Sequence, residues 1–249
     1  MTDDQPAPQA GREAPTGAGT PATLVVWAIT GVNVVVWLAM EAYGGSASGR
    51  TLIAFGAKVN PLIADGEYWR LVAPIFLHIG LMHLVFNSIA LLTFGRLAEI
   101  IFGHTRFLAI YLVSGVAGTV LSYLLSRGVS AGASGAIFGL GGALAVFFAV
   151  NRGAGPAGLR GQLGSMVVLL AINGGYGLVQ PAVDNWGHAG GLMGGLALAA
   201  WLTPRVASVV SPDGLRVGWR LQSASAAAWA IVPVVLGILA VAVTRFPGR

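Results

Sequence analysis

GVSAGASGAIFGLGGALAVFFAVN at residues 128–151 and NWGHAGGLMGGLALAAWLTP at residues 185–204 decide the fold. Neither contains an Asp, Glu, Lys or Arg. Each is long enough to cross a bilayer as a helix, which takes about 20 mostly apolar residues. Five more charge-free runs occupy residues 14–40, 71–95, 107–126, 161–183 and 221–244. Spans are therefore expected with centres near Val32, Phe86, Val116, Gly142, Leu170, Gly195 and Val234. The expected fold is an all-α membrane protein, a polytopic helical bundle.

Composition supports this. Only 9% of the 249 residues are charged, whereas soluble domains carry about 25%. So few charges cannot cover a water-facing surface. The 37 glycines suit a bundle in which small residues let helix backbones approach closely. The net charge of +5 does not imply nucleic acid, because the basic residues stand singly between apolar runs with no basic stripe. With no cysteine, disulfides, thiolate catalysis and Cys-ligated metal are excluded.

Residues 1–22 are polar and rich in Pro, Gly, Ala and Thr. They read as a disordered tail with too little apolar mass to fold alone. The core is expected over 23–204, and a linker with a seventh span over 205–249. With a cytoplasmic N-terminus, eight basic residues fall inside and six outside, which favours that orientation. Residues 43–74 are too long for a turn. Their half-apolar pieces, Leu52-Ile53-Ala54-Phe55 and Pro61-Leu62-Ile63, suit a loop lying in the membrane interface.

Polar groups within spans are costly and mark functional candidates. Ser134, in Gly132-Ala133-Ser134-Gly135, lies near the outer end of its span. Gly135, Gly139 and Ala143 form a smooth face at four-residue spacing. His188 begins another span, on which Gly187, Gly191, Gly195 and Ala199 repeat the pattern. Packing the two faces can bring the imidazole to the hydroxyl, a weak nucleophile until a base takes its proton. His83 and Asn87, four apart, share a helix face. Their N–H groups suit an oxyanion hole, with the Ser134 backbone N–H as a third donor. Each has a structural alternative: Ser134 as a small packing residue, His188 as a cap, and His83 with Asn87 as interhelical hydrogen bonders. His78 falls off the His83–Asn87 face and reads as an entry-turn residue with a structural or water-holding role. A zinc reading of His78 and His83 lacks the i, i+4 spacing and a supporting acid; no Asp or Glu is expected inside the spans. No metal or cofactor is called for. Asp184 is the only acid near His188 and falls in the loop, so a serine enzyme here is a dyad. Phe138, one turn beyond Ser134, is placed to stack on the His188 ring.

Four elements together resemble the rhomboid intramembrane serine proteases. They are Trp69-Arg70 in the first loop, His78-x4-His83-x3-Asn87, Gly132-x-Ser134-Gly135, and His188-x-Gly190-Gly191-x3-Gly195. The resemblance covers Glu67 to about Gly195. It implies a six-helix core, here with a seventh transmembrane helix, and an active site open to the extracytoplasmic side of the plasma membrane. It implies a Ser134/His188 dyad with His83 and Asn87 at the oxyanion positions. It implies membrane-helix substrates within the lipid bilayer, no nucleic acid and no metal. The position of Phe138 is often Tyr in the family, so the stacking surface is kept and the hydroxyl lost. Two other functions remain open: a non-proteolytic scaffold or chaperone of the same fold that binds membrane helices, and a transporter.

Overall fold

The computed structural model describes residues 23–151, 164, 183–210, 217–222 and 225–246. The expected tail at 1–22 and the expected span near Leu170 lie outside them. Among the described residues, four helices are long and apolar enough to cross a membrane. They are α1 (Leu24–Gly44), α4 (Gly80–Phe102), α5 (His104–Leu125) and α8 (Ala226–Arg245). Helix α6 (Ser134–Val150) is apolar but shorter, and α7 (Asn185–Leu202) is diluted by glycine. The protein is a helical membrane bundle.

Helix α5 is the central pillar. Its buried residues, from Phe107 to Tyr123, face every direction, as expected of a helix surrounded by others. Helix α1 lies at the edge. It buries Val26, Ile29, Thr30, Asn33 and Met40 and leaves Leu24, Trp27, Val35 and Leu38 exposed. In a soluble protein such a face would be a liability; against hydrocarbon it needs no cover.

The close packing lies between α7 and its two neighbours. A Cβ on Gly118 of α5 would stand 2.5 Å from the Gly187 carbonyl oxygen, and one on Gly190 2.5 Å from the Ala117 carbonyl oxygen. On the α6 side, a Cβ on Gly191 would lie 2.5 Å from the Gly135 carbonyl carbon, and one on Gly195 2.5 Å from that of Gly139. Glycine is required at these crossings because backbone meets backbone. The two expected small-residue rows do face each other. The contribution of α5, through Ser114, Ala117 and Gly118, is an addition to the sequence reading.

The structure shifts several expected boundaries. Helix α6 begins only at Ser134, because residues 126–133 form an extended connector that pairs Ser130 with Lys58 in an isolated antiparallel bridge. Residues 205–210 and 217–222 pair as two antiparallel strands (β1 and β2), with Arg205 opposite Gln222. The last helix starts at Ala226, within the region 205–249 expected to hold the seventh span, so this boundary is not shifted. Helix α4 runs past the expected limit at residue 95, through a π-helical turn at Leu91–Gly95, to Phe102. This corrects the reading that no acid lies within a span. Glu99 sits in the last turn of α4 and is buried. Its two oxygens accept from Val25 N and Val26 N at 2.9 Å each, and His104 Nδ1 lies 2.5 Å away. The first N–H groups of a helix have no partner within it. Helix α1 has no acid in its own first turn, so Glu99 caps it from outside.

The loop between α1 and α4 is built rather than slack. It contains α2 (Gly49–Phe55), α3 (Asn60–Ala64) and 3-10 turns at Tyr68–Leu71 and Ala73–Phe76. The half-apolar pieces read from sequence are these helices. Arg70 is buried in the loop. It bonds Glu67 through Nε at 2.7 Å and the Ile53 carbonyl through Nη1 at 2.8 Å. Trp69 lies beside Gly56, whose φ of +98° and lack of space for a Cβ (2.7 Å from Trp69 Cη2) both require glycine.

Candidate active site

Ser134 is the first residue of α6, and His188 lies in the first turn of α7. The two helix starts converge at one end of the bundle. The glycine crossings hold α6 and α7 so close that Ser134 Oγ and His188 Nε2 are 2.9 Å apart, within ordinary hydrogen-bond range. Both side chains are half-buried. The Phe138 ring lies against the imidazole, with centroids 4.4 Å apart and planes 15° apart. This stacking fixes one face of the ring.

Asp184 does not hold the other ring nitrogen. It is the N-cap of α7, and its Oδ1 accepts from Gly187 N at 2.9 Å. His188 Nδ1 has no hydrogen-bond partner among the described residues. The arrangement is a pair of side chains, positioned by stacking and by a capped helix.

His83 reaches the same place from α4, and Asn87 follows it one turn on along the same helix. Ile79 N donates to His83 Nδ1 at 3.2 Å. A neutral imidazole with an accepting Nδ1 carries its proton on Nε2. That Nε2–H faces the Ser134 entry: the point a Cβ on Gly132 would occupy lies 2.8 Å from His83 Nε2 and 3.7 Å from Ser134 Oγ. Gly132, at φ +141°, leaves that point open. Asn87 is buried, and its Nδ2 donates to the His83 carbonyl at 3.0 Å. An amide NH2 has two hydrogens, so one N–H remains beyond that bond. As the first helical residue, Ser134 has a backbone N–H with no acceptor inside α6. The helix dipole adds partial positive charge there. His78 precedes α4 and is fully buried, its ring edge-on to His83 at 5.3 Å. It belongs to the entry turn, off the His83–Asn87 face.

Residues 65–205 match the Rhomboid domain. The chain belongs to the rhomboid family. It is 46% identical over 171 residues to rhomboid protease GluP of Bacillus subtilis, an alignment covering 69% of this chain and 33% of that protein. It is 40% identical over 153 residues to RHOMBOID-like protein 6, mitochondrial, of Arabidopsis thaliana, covering 61% and 49%. The putative rhomboid protease YdcA of B. subtilis is 38% identical over 141 residues, covering 55% and 68%. The chain spans a third to a half of the first two of these relatives. Ser134, His188, His83 and Asn87 all lie within the rhomboid domain. One part of the site escaped the sequence reading: Gly132 appeared there only as a motif letter.

Proposed function

We propose that this rhomboid is an intramembrane serine endopeptidase that cleaves transmembrane helices of other membrane proteins. The observation that supports the reading is the 2.9 Å contact between Ser134 Oγ and His188 Nε2, at the bundle end where the starts of α6 and α7 converge and His83 of α4 lies close by. Ser134 Oγ attacks the scissile carbonyl carbon while His188 Nε2 takes the hydroxyl proton. The carbonyl oxygen becomes an oxyanion and receives N–H groups from His83 Nε2, Asn87 Nδ2 and the Ser134 backbone. His188 then gives its proton to the amide nitrogen, the C–N bond breaks, and an acyl ester remains on Ser134. Water attacks the ester, His188 takes its proton, and Ser134 Oγ leaves with that proton restored.

The substrate must unwind locally, because a helical carbonyl is already hydrogen bonded. Gly and Pro near the cut favour that step, since both disfavour helix. The bias of basic residues supports a cytoplasmic N-terminus. In that orientation the starts of α6 and α7, and the site, face the outer side; the proposal takes the membrane as the plasma membrane and residues 23–204 as the catalytic core.

The test is cleavage of a generic transmembrane substrate by the purified protein, beside Ser134→Ala and His188→Ala. Turnover lost in both variants, with fluorophosphonate labelling of Ser134 in the parent, is the expected result. Substantial cleavage by Ser134→Ala would sink the mechanism. An intact protein that neither cleaves nor labels would favour a helix-binding scaffold.

A further inference from the structure

Lys58 is fully buried, which is unusual for a lysine. It lies in the segment between α2 and α3, outside the spanning helices. Its Nζ donates to the Ser126 carbonyl at 2.8 Å and the Gly128 carbonyl at 2.9 Å. Its backbone N–H donates to the Ser130 carbonyl at 2.9 Å, and its own carbonyl accepts from Ser130 N at 3.2 Å. One residue therefore grips alternate positions 126, 128 and 130 of the connector that runs from α5 to Ser134. Asn60 adds bonds to the Tyr123 and Ser126 carbonyls at 2.9 and 3.0 Å. Beyond Ser130, Gly132 N donates to the Pro74 carbonyl at 2.8 Å. The next residues are Ala133 and Ser134.

A buried ammonium is costly unless its donors find strong acceptors. Here one acceptor is the Ser126 carbonyl at the C-cap of α5, where the helix dipole is negative, and the other is the Gly128 carbonyl two residues further along the connector. Desolvation lowers the Lys58 pKa to about 8, and the charge of Asp184 opposes that shift. Asp184 caps the helix that carries His188. Lys58 thus touches the connector leading to the nucleophile and feels the cap of the helix that holds its partner.

The geometry points to Lys58 as a positioning residue for the proposed hydrolysis. It fixes the 126–133 connector so that Ser134 Oγ meets His188 Nε2 and the open point at Gly132 stays aligned with His83. The inference rests on the catalytic reading of Ser134. A cap that only stabilised α5 would change how much protein folds, not how fast each folded molecule reacts.

The experiment measures the rate of fluorophosphonate labelling of Ser134 in the full chain in detergent, normalised to folded protein by gel filtration and thermal melting. Lys58→Met keeps the stem length and removes the donors. Its labelling rate per folded molecule is expected to fall about 10- to 100-fold, the range for a reacting group displaced by up to about 1 Å. Lys58→Gln, with N–H donors on a shorter stem, should lie between Lys58→Met and the parent, and it decides the matter if Lys58→Met does not fold. Labelling by either folded variant at the parent's rate would overturn the inference. Failure of the parent itself to label is a different result: it removes the catalytic reading and this inference with it.

Discussion

Substituting Gly191 by alanine tests whether the glycine crossing sets the distance between Ser134 Oγ and His188 Nε2, the atoms of the proposed dyad. The new Cβ would stand 2.5 Å from the carbonyl carbon of Gly135 and 2.9 Å from its Cα. Carbon atoms in ordinary contact sit about 3.5–4.0 Å apart, so α6 and α7 must part by roughly 1 Å. The obstacle is backbone and cannot rotate away. The Ser134–His188 contact is 2.9 Å; opening it by that amount takes it beyond the ~3.2 Å limit of a good hydrogen bond. A misplacement of about 1 Å can cost about 10²-fold in rate, and overpacking adds about 1–3 kcal/mol of destabilisation. The assay is the second-order rate of fluorophosphonate labelling, corrected for the folded fraction. Gly237→Ala is the control, because nothing lies within 4 Å of its Cβ position on α8. The control should keep the parent rate and match or exceed its stability. A folded Gly191→Ala protein that labels as fast as the parent would refute the claim that this crossing sets the dyad distance.

Phe138→Ala removes the ring stacked on His188, and an aromatic pair contributes about 0.5–1.5 kcal/mol. Cleavage should slow roughly 2- to 10-fold, with Phe138→Tyr near the parent; steady-state rates on one substrate check this. Glu99→Ala leaves Val25 N and Val26 N without their acceptor. It should lower stability by about 1–2 kcal/mol, as for a lost helix cap, without changing labelling per folded molecule, because Glu99 lies at the opposite bundle end; melting curves beside labelling rates separate the two. Burial holds the Lys58 pKa near 8, below its ordinary 10.5, so between those values the unfolded chain binds more protons than the folded one. Stability should therefore rise as pH goes from about 8 to about 10.5, and Lys58→Met should flatten that rise; unfolding measured across this range checks the sign.

The spans and the convergent face were legible because their signals are local. A charge-free run of twenty residues is visible without neighbours, and so is glycine at four-residue spacing. From these, the approach of Ser134 and His188 could be expected, and they meet at 2.9 Å. What escaped was set by contacts distant in sequence. The α6 start cannot be placed from 128–151 alone, since Lys58, some seventy residues earlier, draws 126–130 into extended backbone. The role of Glu99 depends on Val25 and Val26 across more than seventy positions. The continuation of α4 to Phe102 was hidden by Arg96, which marks the end of a charge-free run but not the end of a helix.

These long-range ties follow from the solvent. In hydrocarbon there is little hydrophobic drive for one helix to choose another, so apolar faces alone cannot hold a 2.9 Å contact between two side chains. Two kinds of interaction can. One is backbone touching backbone, available only to glycine, as at Gly135 with Gly191 and Gly139 with Gly195. The other is a buried polar group bonded to backbone, as with Lys58 at the Ser126 and Gly128 carbonyls and Glu99 at the start of α1. The first sets how near α6 and α7 stand. The second sets how the connector enters α6 and how α1 is held to α4. Ser134 sits where both act, at the first residue of a helix whose flank is glycine and whose entry is tied to a lysine. Its reactivity should therefore be sensitive to substitutions that never touch it, and far less sensitive to changes on the lipid-facing side of α1 or α8.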